Sequence, residues 1–479
     1  MGAASPRPRR APARAALVVL LAAIPAAAAQ APRTLRLDLA HSGDARGERF
    51  ALERVVAEPL PWPGDPARGI DDTNLGKYRF EVVERASQRR LFARGFASIY
   101  GEWETTDEAQ AIERAFGESL RFPTPPGPVR VAILKRDRAN DFREIWSVVV
   151  DPDDVEVERA APPSAGAVIV LRDSGPPAAK VDLLLLGDGY TAEGRAKCEA
   201  DLARLAGVLF ESEPFRARAG DFNVRGLCPA AAAPGISRPS EGLHLRSPAG
   251  ATYDAFRSER YLLSFDNRAW RDLASQAPYE ALVLVTNSRT YGGGGIYGQF
   301  ATVAADSAWA PYILVHEFGH HFAALADEYY TSDVAYRSAA ARVEPWEPNV
   351  TALLDPARLK WRDLVLPGTP LPTPWGKAAF EERSRAIQAE RRRLRAERRP
   401  EAEMDRLFEA ERAHEEAALG AEPWAGRVGA FEGANYEALG YFRPQADCIM
   451  FTRDRVPFCA VCRRAIERVI DSLAAPPAP

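Results

Sequence analysis

The stretch "VDLLLLGDGYT", residues 181–191, contains an unbroken apolar run that ends in a Gly-Asp-Gly turn. Strands that are buried on both faces of a parallel sheet have this pattern, because no position along them faces water. A helical pattern follows the turn. The stretch therefore predicts the start of an α/β (α+β) domain, which we place at residues 181–479.

The region before this strand is predicted to contain a linker and a separate β-rich domain. Residues 161–180 include two Pro-Pro pairs, which resist helix formation and favour an extended linker. Upstream of them, segments with strand character are separated by turn-forming residues. These segments are "TLRLDLAHSG" (34–43), "KYRFEVVE" (77–84), "VRVAILKR" (129–136) and "EIWSVVVD" (144–151). Residues 30–160 are thus predicted to form an N-terminal β-rich, β-sandwich-like domain.

The first 29 residues have the composition of a secretory signal peptide. Arginines at positions 7, 9, 10 and 14 precede an apolar run at 15–24 and small residues at 26–29. The run is shorter than the roughly 20 residues that a bilayer-spanning helix needs, and no later stretch is long enough. We expect cleavage near Ala29, a secreted or periplasmic protein, and no integral membrane segment in the mature form.

The charge balance argues against a nucleic-acid partner. The 479-residue chain has 62 Lys and Arg against 66 Asp and Glu, a formal net charge of −4. Loss of a leader that carries arginines and no acids would make the chain more negative. Binding to nucleic acid requires clustered basic surface, so we expect no such partner. The sequence does not set the oligomeric state.

The cysteines predict a disulfide near the C-terminus. The five cysteines are Cys198, Cys228, Cys448, Cys459 and Cys462. Disulfides are expected in an exported chain, and Cys448 is close enough in sequence to bridge to one member of the C-x-x-C pair. The odd count leaves at least one thiol free or intermolecular. A zinc knuckle is the less favoured alternative, because it needs a fourth ligand nearby and no histidine follows His414.

Residues 378–418 differ in composition from their surroundings. The stretch "EERSRAIQAERRRLRAERRPEAEMDRLFEAERAHEE" (381–416) is dense in helix formers and in opposite charges three or four residues apart, with one proline. It predicts a charged helical insertion, a solvated hairpin within the downstream domain. A partner-binding coiled coil is the alternative, but apolar heptad positions are sparse.

A candidate metal site lies in "LVHEFGHHFAALADEYY", residues 314–330. Apolar residues recur there at helical spacing, which predicts an amphipathic helix. His316 and His320 are four residues apart, so their imidazoles lie on one face and can converge on a tetrahedral ion. Glu317 lies beside them, where a carboxylate can take the proton of a metal-bound water. A polar helix with hydrogen-bonded histidines is the alternative.

A catalytic zinc also needs a third protein ligand and an open position for water. Asp327 and Glu328 are the nearest candidates. In an unbroken helix Asp327 would lie about 16 Å from His316, far beyond coordination distance. The helix must therefore stop after His320 or His321 and the chain must turn back, although the following segment has no glycine that would favour the turn.

The pattern His-Glu-x-x-His followed by Asp-Glu-Tyr resembles the IgA-peptidase family, a metzincin-like group of secreted bacterial zinc metalloendopeptidases. Further stretches resemble the same family. They are "LLGDGYT" (185–191), "YGGGGIYG" (291–298), "EPNVT" (347–351), "FEGANY" (431–436), "YFRPQADCIM" (441–450) and "FCAVC" (458–462). Together they cover about residues 180–470, and "LRLDLAHSG" (35–43) is similar to the start of the family's N-terminal β-domain.

The resemblance implies a metzincin-like zinc peptidase domain at residues 181–479 that hydrolyses protein or peptide substrates. It implies that Zn²⁺ is the cofactor, bound by His316, His320 and Asp327, with Glu328 as the reserve third ligand. Glu317 would be the general base.

The resemblance also implies roles for residues near the C-terminus. Met450 would occupy a turn beneath the metal, although an ordinary core methionine would give the same signal. Tyr436 and Tyr441 could each donate a hydrogen bond to the oxyanion of the reaction, the alternative being simple packing. One departure concerns spacing. In metzincins the third ligand lies ten residues after the first histidine, and a glycine lies seven residues after it. In this chain the first of these positions is Ala326 and the second is Ala323.

The segment "TYGGGGIYGQFATVAA" (290–305) precedes the predicted zinc helix. Its glycines permit a flexible loop, and the residues after them could form an exposed edge strand that pairs with an extended peptide. A plain hairpin connection is the alternative.

The sequence also fits a function of another class. A secreted binding or adhesion protein could use the histidines for a structural metal and its β-rich domain for recognition. Structural zinc sites are closed by four protein ligands, which distinguishes them from catalytic sites.

Overall fold

The protein is described by a computed structural model that places residues 1–2, 32–332, 334–337 and 341–474. The predicted signal peptide lies, apart from residues 1–2, outside the described residues. The strands are β1 (Arg33–Gly43), β2 (Glu48–Pro61), β3 (Tyr78–Glu84), β4 (Arg90–Phe96), β5 (Arg114–Pro123), β6 (Val129–Arg136), β7 (Phe142–Val150), β8 (Ile169–Arg172), β9 (Val181–Asp188), β10 (Phe222–Leu227), β11 (Ala251–Thr252), β12 (Leu263–Ser264), β13 (Ala281–Thr286), β14 (Gly293–Ile296), β15 (Phe300–Ala304), β16 (Phe431–Ala434) and β17 (Glu437–Arg443). The α-helices are α1 (Ile99–Trp103), α2 (Asp107–Ala111), α3 (Arg195–Glu211), α4 (Asn267–Ala274), α5 (Ala310–Ala323), α6 (Lys377–Ala396), α7 (Glu401–Gly420) and α8 (Ala460–Leu473).

The N-terminal β-rich region consists of two antiparallel sheets that share one core. One sheet has the order β2-β1-β5 and the other the order β4-β3-β6-β7. Inward-facing apolar side chains of both sheets form a single buried cluster, in which the ring of Phe122 lies 6.3 Å from that of Phe80 and 6.4 Å from that of Phe92. Alternate residues therefore point into a sandwich core.

The other face of β1 is buried too, and it carries charges. Arg36 is 0% exposed and Asp38 is 2% exposed, with Arg36 Nε donating to Asp38 Oδ1 at 2.9 Å. Arg36 also donates to Glu58 of β2 at 3.2 Å and to Asp272 of α4. Arg54 donates to the same Asp272 carboxylate at 2.8 Å. The polar positions of β1 thus form an ion network between the sandwich and α4 rather than a solvated face.

The second part of the chain is built on a six-stranded mixed sheet with the order β14-β15-β13-β9-β10-β8. Strands β9, β10, β13 and β15 are parallel to their neighbours among this set, whereas the edge strands β14 and β8 are antiparallel. β9 is buried along its whole length, as its apolar run predicts. Edge strand β8 lies within the stretch that the sequence assigns to a linker. Helix α5 packs against β14 and β15 at one edge of this sheet.

The charged insertion forms the helices α6 and α7, which pack against each other. Its inner face is buried rather than solvated: Arg391 is 6% exposed and donates to Glu259 at 2.7 Å, and Glu411 accepts from Arg453 at 2.6 Å. The ring of Phe408 packs against Tyr291, with centroids 5.1 Å apart. The hairpin thus covers one side of the region that contains α5. In the part of the chain that the structure describes, no helix has the length and apolar character to cross a membrane.

The cysteine pairing differs from the prediction. Cys198 of α3 forms a disulfide with Cys228, just after β10. Cys448, Cys459 and Cys462 are buried free thiols, so the predicted bridge from Cys448 is wrong. The Sγ atoms of Cys448 and Cys462 lie 3.9 Å apart, well beyond the roughly 2.05 Å of a disulfide.

Candidate active site

Helix α5 is held against the sheet edge by glycines of β14. A Cβ added to Gly293 would lie 2.9 Å from Glu317 Cγ, and one added to Gly295 would lie 2.4 Å from the Glu317 carbonyl oxygen and 2.9 Å from His320 Cβ. Larger residues would push the strand and helix apart. The glycines predicted as a flexible loop therefore form an edge strand whose contact with α5 fixes the backbone of the histidine motif.

His321 ties the same helix to the sheet from its other side. Its Nδ1 donates to the Ile296 carbonyl at 3.1 Å, and its Nε2 accepts from the Leu282 N–H at 3.0 Å. Burial lowers the pKa of His321 to about 4, so its imidazole is neutral. His321 therefore has a structural role, unlike the predicted ligands His316 and His320.

The chain turns back at the end of α5, as a third ligand requires. The helix continues to Ala323, beyond the predicted end at His320 or His321, and Ala324 then adopts a left-handed conformation with φ 55° and ψ 34°. The Ala324 N–H donates to the His320 carbonyl, and the Leu325 N–H to the Gly319 carbonyl. The additional residues bury Phe322, 4% exposed, which accounts for the later end.

The reversal brings an acid to the two histidines. Asp327 Oδ1 lies 3.0 Å from His316 Nε2 and 3.2 Å from His320 Nε2, and the two Nε2 atoms are 3.1 Å apart. The structure thus brings together the three side chains predicted as ligands. Ala324 at the turn and the acid Asp327 each lie one residue further from His316 than the corresponding positions in the usual metzincin spacing.

Backbone carbonyls determine which ring nitrogens face this point. His316 Nδ1 lies 2.9 Å from the Ile449 carbonyl, and His320 Nδ1 lies 2.5 Å from the Leu325 carbonyl. Since a carbonyl only accepts, both Nδ1 atoms carry protons and both Nε2 atoms face Asp327 Oδ1. Two imidazole nitrogens and a carboxylate oxygen therefore converge, an arrangement that positive charge stabilises.

The electrostatics of the site favour that positive charge. Burial alone would raise the pKa of Asp327, but the charge of His320 and the hydrogen bond from His316 hold it well below its usual range. Burial alone would lower the pKa of His320, but the charge of Asp327 raises it to about 10. The site thus attracts a cation, be it a proton or a metal ion.

Glu317 lies at the wall of a cleft beside this cluster. The cleft has a volume of about 680 Å³ and is lined by His316, Glu317, His320 and Asp327. Burial raises the pKa of Glu317 above its usual value, and the charges of the two histidines oppose that shift. Part of the lining comes from the N-terminal region, including Glu102.

Two protein-family models match the chain. A model described as IgA Peptidase M64 matches residues 169–470, and a model described as Peptidase M64 N-terminus matches residues 28–147. The chain belongs to the IgA peptidase M64 family. It is therefore a peptidase, and its substrates are proteins or peptides. No curated protein matches the chain.

In this M64 peptidase, Met450 lies directly beneath the histidine helix. It is 0% exposed, and its Sδ would be 3.1 Å from a Cβ on Gly319 of α5. The turn that contains it supplies the Ile449 carbonyl to His316, and the Met450 carbonyl accepts from the Glu328 N–H at 2.8 Å. The turn thus supports both the helix and the returning segment.

The two tyrosines proposed for the oxyanion have different partners. Tyr436 Oη donates to Asp327 Oδ2 at 2.5 Å, so it orients the carboxylate. Tyr441 Oη accepts from the Val343 N–H at 3.2 Å. The contact of Tyr436 is a positioning contact in this structure, and the oxyanion role of either tyrosine stays a prediction.

Glu328, the reserve ligand, points away from the histidines. Its Oε1 accepts from Asn349 Nδ2 at 2.9 Å and from Cys462 Sγ at 3.3 Å. Asn349 also exchanges hydrogen bonds with the backbone of Ala326, 2.8 Å to its N–H and 2.9 Å to its carbonyl. Asp327 and Glu328 therefore face different clusters, and Asn349 clamps the segment between them.

The predicted peptide-binding edge strand is misplaced by one strand. The residues after the glycines form β15, which lies between β14 and β13 and has no free edge. The edge strand is β14 itself, and its Gly293 already exchanges backbone hydrogen bonds with Arg260 and Leu262, at 3.2 and 3.1 Å. Gly295 is the β14 residue that lines the cleft.

Sequence reasoning missed two other residues of this M64 cleft, Arg260 and Tyr329. Arg260 Nη2 donates to the Tyr329 hydroxyl at 3.2 Å, and the Tyr329 ring is stacked on His316 with centroids 6.3 Å apart. Tyr329 was within a motif that resembles the family and could have been singled out. Arg260 had no motif signal, because the fold alone brings it to the site.

The conformation of Ala324 leads to a stability prediction. Ala324→Gly and Ala323→Gly each remove a buried methyl group, but only the former relieves a left-handed alanine. We expect Ala323→Gly to be less stable than Ala324→Gly by about 1–2 kcal/mol. Urea unfolding of the two variants measures this difference. Equal stabilities would show that the turn does not strain Ala324.

Proposed function

We propose that this peptidase is a zinc-dependent endopeptidase with Glu317 as its general base. The observation that carries the proposal is the convergence of two imidazole Nε2 atoms and the Asp327 carboxylate at a point that opens into the cleft, with Glu317 beside it.

The donor set fits zinc. Two nitrogens and one oxygen, with the fourth position open, are the ligands of catalytic zinc sites. Ligand atoms around a tetrahedral zinc are roughly 3.3 Å apart, and the three acceptor atoms here are 3.0–3.2 Å apart. His316, His320 and Asp327 would hold the ion. When bound, it would polarise the scissile carbonyl and acidify a water molecule.

The residues of the chain perform the proton transfers. Glu317 takes the proton of the attacking water and passes it to the amine of the leaving peptide. Its raised pKa brings the carboxylate closer to the neutral range in which a base and an acid can exchange roles. Hydrolysis then proceeds without a covalent intermediate.

Other residues hold the ligands in place. The Ile449 and Leu325 carbonyls fix the ring orientations of His316 and His320, and Tyr436 fixes that of Asp327. Partners of this kind keep metal-ligating histidines in one tautomer and one orientation. They lower the cost of reorganisation when the ligands bind an ion.

We further propose that the catalytic part has a metzincin-like fold. Its support is a mixed sheet with an antiparallel edge strand beside the histidine helix, a reversal after that helix and a methionine turn beneath it. The one-residue shift at Ala324 and Asp327 is the departure from the usual spacing.

A cleavage assay with metal control tests the function. The protein purified without residues 1–29 should cleave an unfolded protein such as casein within the chain, giving peptides rather than free amino acids. Dialysis against a zinc chelator should abolish cleavage, and added Zn²⁺ should restore it. Full cleavage by protein shown by mass spectrometry of its metal content to be metal-free would refute the zinc dependence.

We also propose that the protein is exported. The support is the leader-like composition of residues 1–29 together with the disulfide between Cys198 and Cys228, since disulfides persist in oxidising compartments. When the full gene is expressed in a bacterium, we expect the protein in the periplasm or medium to begin at Gln30. A cytoplasmic protein with an intact N-terminus would contradict export.

A further inference from the structure

A second cluster of metal-binding side chains lies below the histidine site. It consists of Glu328, Cys448, Cys459 and Cys462, whose donor atoms all lie within 4.8 Å of one another. All four residues are buried, with exposures of 0%, 0%, 4% and 0%. They come from three segments: the chain after the reversal, the methionine turn and the start of α8.

The spacing of these atoms matches a tetrahedral ion. Cys448 Sγ and Cys462 Sγ are 3.9 Å apart, and Cys462 Sγ lies 3.3 Å from Glu328 Oε1. Around a tetrahedral zinc with bonds of about 2.3 Å to sulfur and 2.0 Å to oxygen, these separations would be roughly 3.8 and 3.5 Å. The thiols are therefore held at the spacing of ligands and not of a disulfide.

Within the described part of the chain, one carboxylate oxygen of Glu328 has no hydrogen-bond partner. Its Oε1 accepts from Asn349 and from Cys462 of the cluster, but its Oε2 is fully buried and has no hydrogen-bond partner among the described residues. An unsatisfied buried carboxylate oxygen is costly, by about 1–3 kcal/mol or more. A cation among the four side chains would satisfy it.

The backbone around the cysteines favours thiolates. The N–H groups of Met450 and Cys459 point to Cys448 Sγ at 3.5 and 3.3 Å, and that of Cys462 points to Cys459 Sγ at 3.4 Å. Cys459 is also the N-cap residue of α8, where the helix dipole favours negative charge. Thiolates, rather than thiols, are the form that binds metal.

We propose that Glu328, Cys448, Cys459 and Cys462 bind a second divalent ion of the zinc type in a closed, structural site. Four protein ligands leave no position for water, so this ion does not take part in catalysis. Its binding releases the protons of the three thiols to solvent. Asp327 and Glu328 are consecutive residues, so the second ion would anchor the segment that presents Asp327 to the histidines.

Metal analysis of the full chain tests this site independently of any peptidase activity. We expect two equivalents of zinc in the parent protein and one in His320→Ala, whose first site is disrupted. After exchange of zinc for Co²⁺, His320→Ala should retain a thiolate-to-cobalt charge-transfer band in the near ultraviolet. Cys462→Ser should lose this band and one equivalent of metal.

Two further proteins provide the controls. Glu328→Gln keeps the shape of the side chain and its contact with Asn349, so it should fold and yet lose the second equivalent to a chelator faster than the parent does. The double variant Cys198→Ser, Cys228→Ser removes the disulfide cysteines and should keep both equivalents. This comparison also separates loss of the site from a general effect of removing cysteine.

Other results would overturn the proposal. A cobalt-loaded His320→Ala protein without the charge-transfer band would show that the thiols do not bind metal. A thiol titration of the denatured, non-reduced, metal-free parent should find three thiols, because two of the five cysteines form the disulfide. A count of one thiol would show that a second disulfide occupies the cluster instead.

Discussion

Glu317→Gln is expected to lower kcat for peptide hydrolysis by about 10²–10⁴-fold while the bound metal stays in place. Glutamine has nearly the same shape as glutamate, so the packing of Glu317 against Gly293 is retained. Its amide cannot accept a proton from water, however, and the attacking nucleophile is then not generated. The measurement is the rate of cleavage of an unfolded protein, together with the metal content of the same sample.

Glu437→Gln is the matched control, because Glu437 lines the same cleft and the substitution is chemically identical. It should leave kcat nearly unchanged. If Glu317→Gln with its full complement of metal cleaves as fast as the parent, Glu317 is not the base. If Glu317→Gln loses its metal, the lower cleavage rate does not report on proton transfer. That result would show that Glu317 instead stabilises the metal ligands.

Gly295→Ala is expected to destabilise the protein by about 1–3 kcal/mol and to lower its activity. The new methyl group would lie 2.4 Å from the Glu317 carbonyl oxygen and 2.9 Å from His320 Cβ, and both belong to the helix that carries the proposed zinc ligands His316 and His320. Strand β14 and helix α5 would have to separate, which moves the His320 ring. Urea unfolding and metal affinity should therefore change together.

Gly207→Ala provides the control for that substitution. Gly207 is an exposed residue within α3, and a Cβ there would meet no atom within 4 Å. Alanine should stabilise this helix by up to about 1 kcal/mol, with no change in activity. A Gly295→Ala protein as stable and active as the parent would show that close approach of β14 to α5 is not required.

Local patterns predicted the elements whose residues alternate or repeat cleanly. Strands β1, β3, β6 and β7 agree with the predicted segments to within about two residues at most of their ends, and the apolar run of 181–188 is β9. β2 was missed because its alternation is interrupted where its pairing with β1 shifts register, between Asp38 and Leu39. Such irregularities are set by the partner strand and leave little trace in the sequence.

The site was predictable where its residues are close in sequence. The spacing of His316 and His320 and the need for a third ligand led to Asp327, which the structure brings to them. Nothing in the sequence indicated that an alanine would adopt the left-handed conformation at the turn, because the surrounding packing imposes it. The structural role of His321 was not predictable from the sequence either, because both of its hydrogen-bond partners belong to the sheet.

The cysteine cluster shows the limit of arguments from sequence proximity. No fourth candidate ligand was recognisable close to Cys448 in sequence, because Glu328 lies 120 residues upstream and only the reversal after α5 brings it there. We expected a disulfide because the chain is predicted to be exported and because the cysteines are close in sequence. Neither property determines the distance between the sulfur atoms. Long-range ligand sets of this kind become visible only with the tertiary structure.

The charged side chains between β1 and α4 constrain any attempt to shorten or recombine this peptidase. Removing the sandwich would leave Asp272 without Arg36 and Arg54, and an isolated sandwich would have to hydrate a guanidinium group that is 0% exposed in the intact chain. A chimera that joins a foreign N-terminal region to the catalytic part therefore needs Arg36 and Arg54 in the N-terminal region together with Asp272 in the catalytic part.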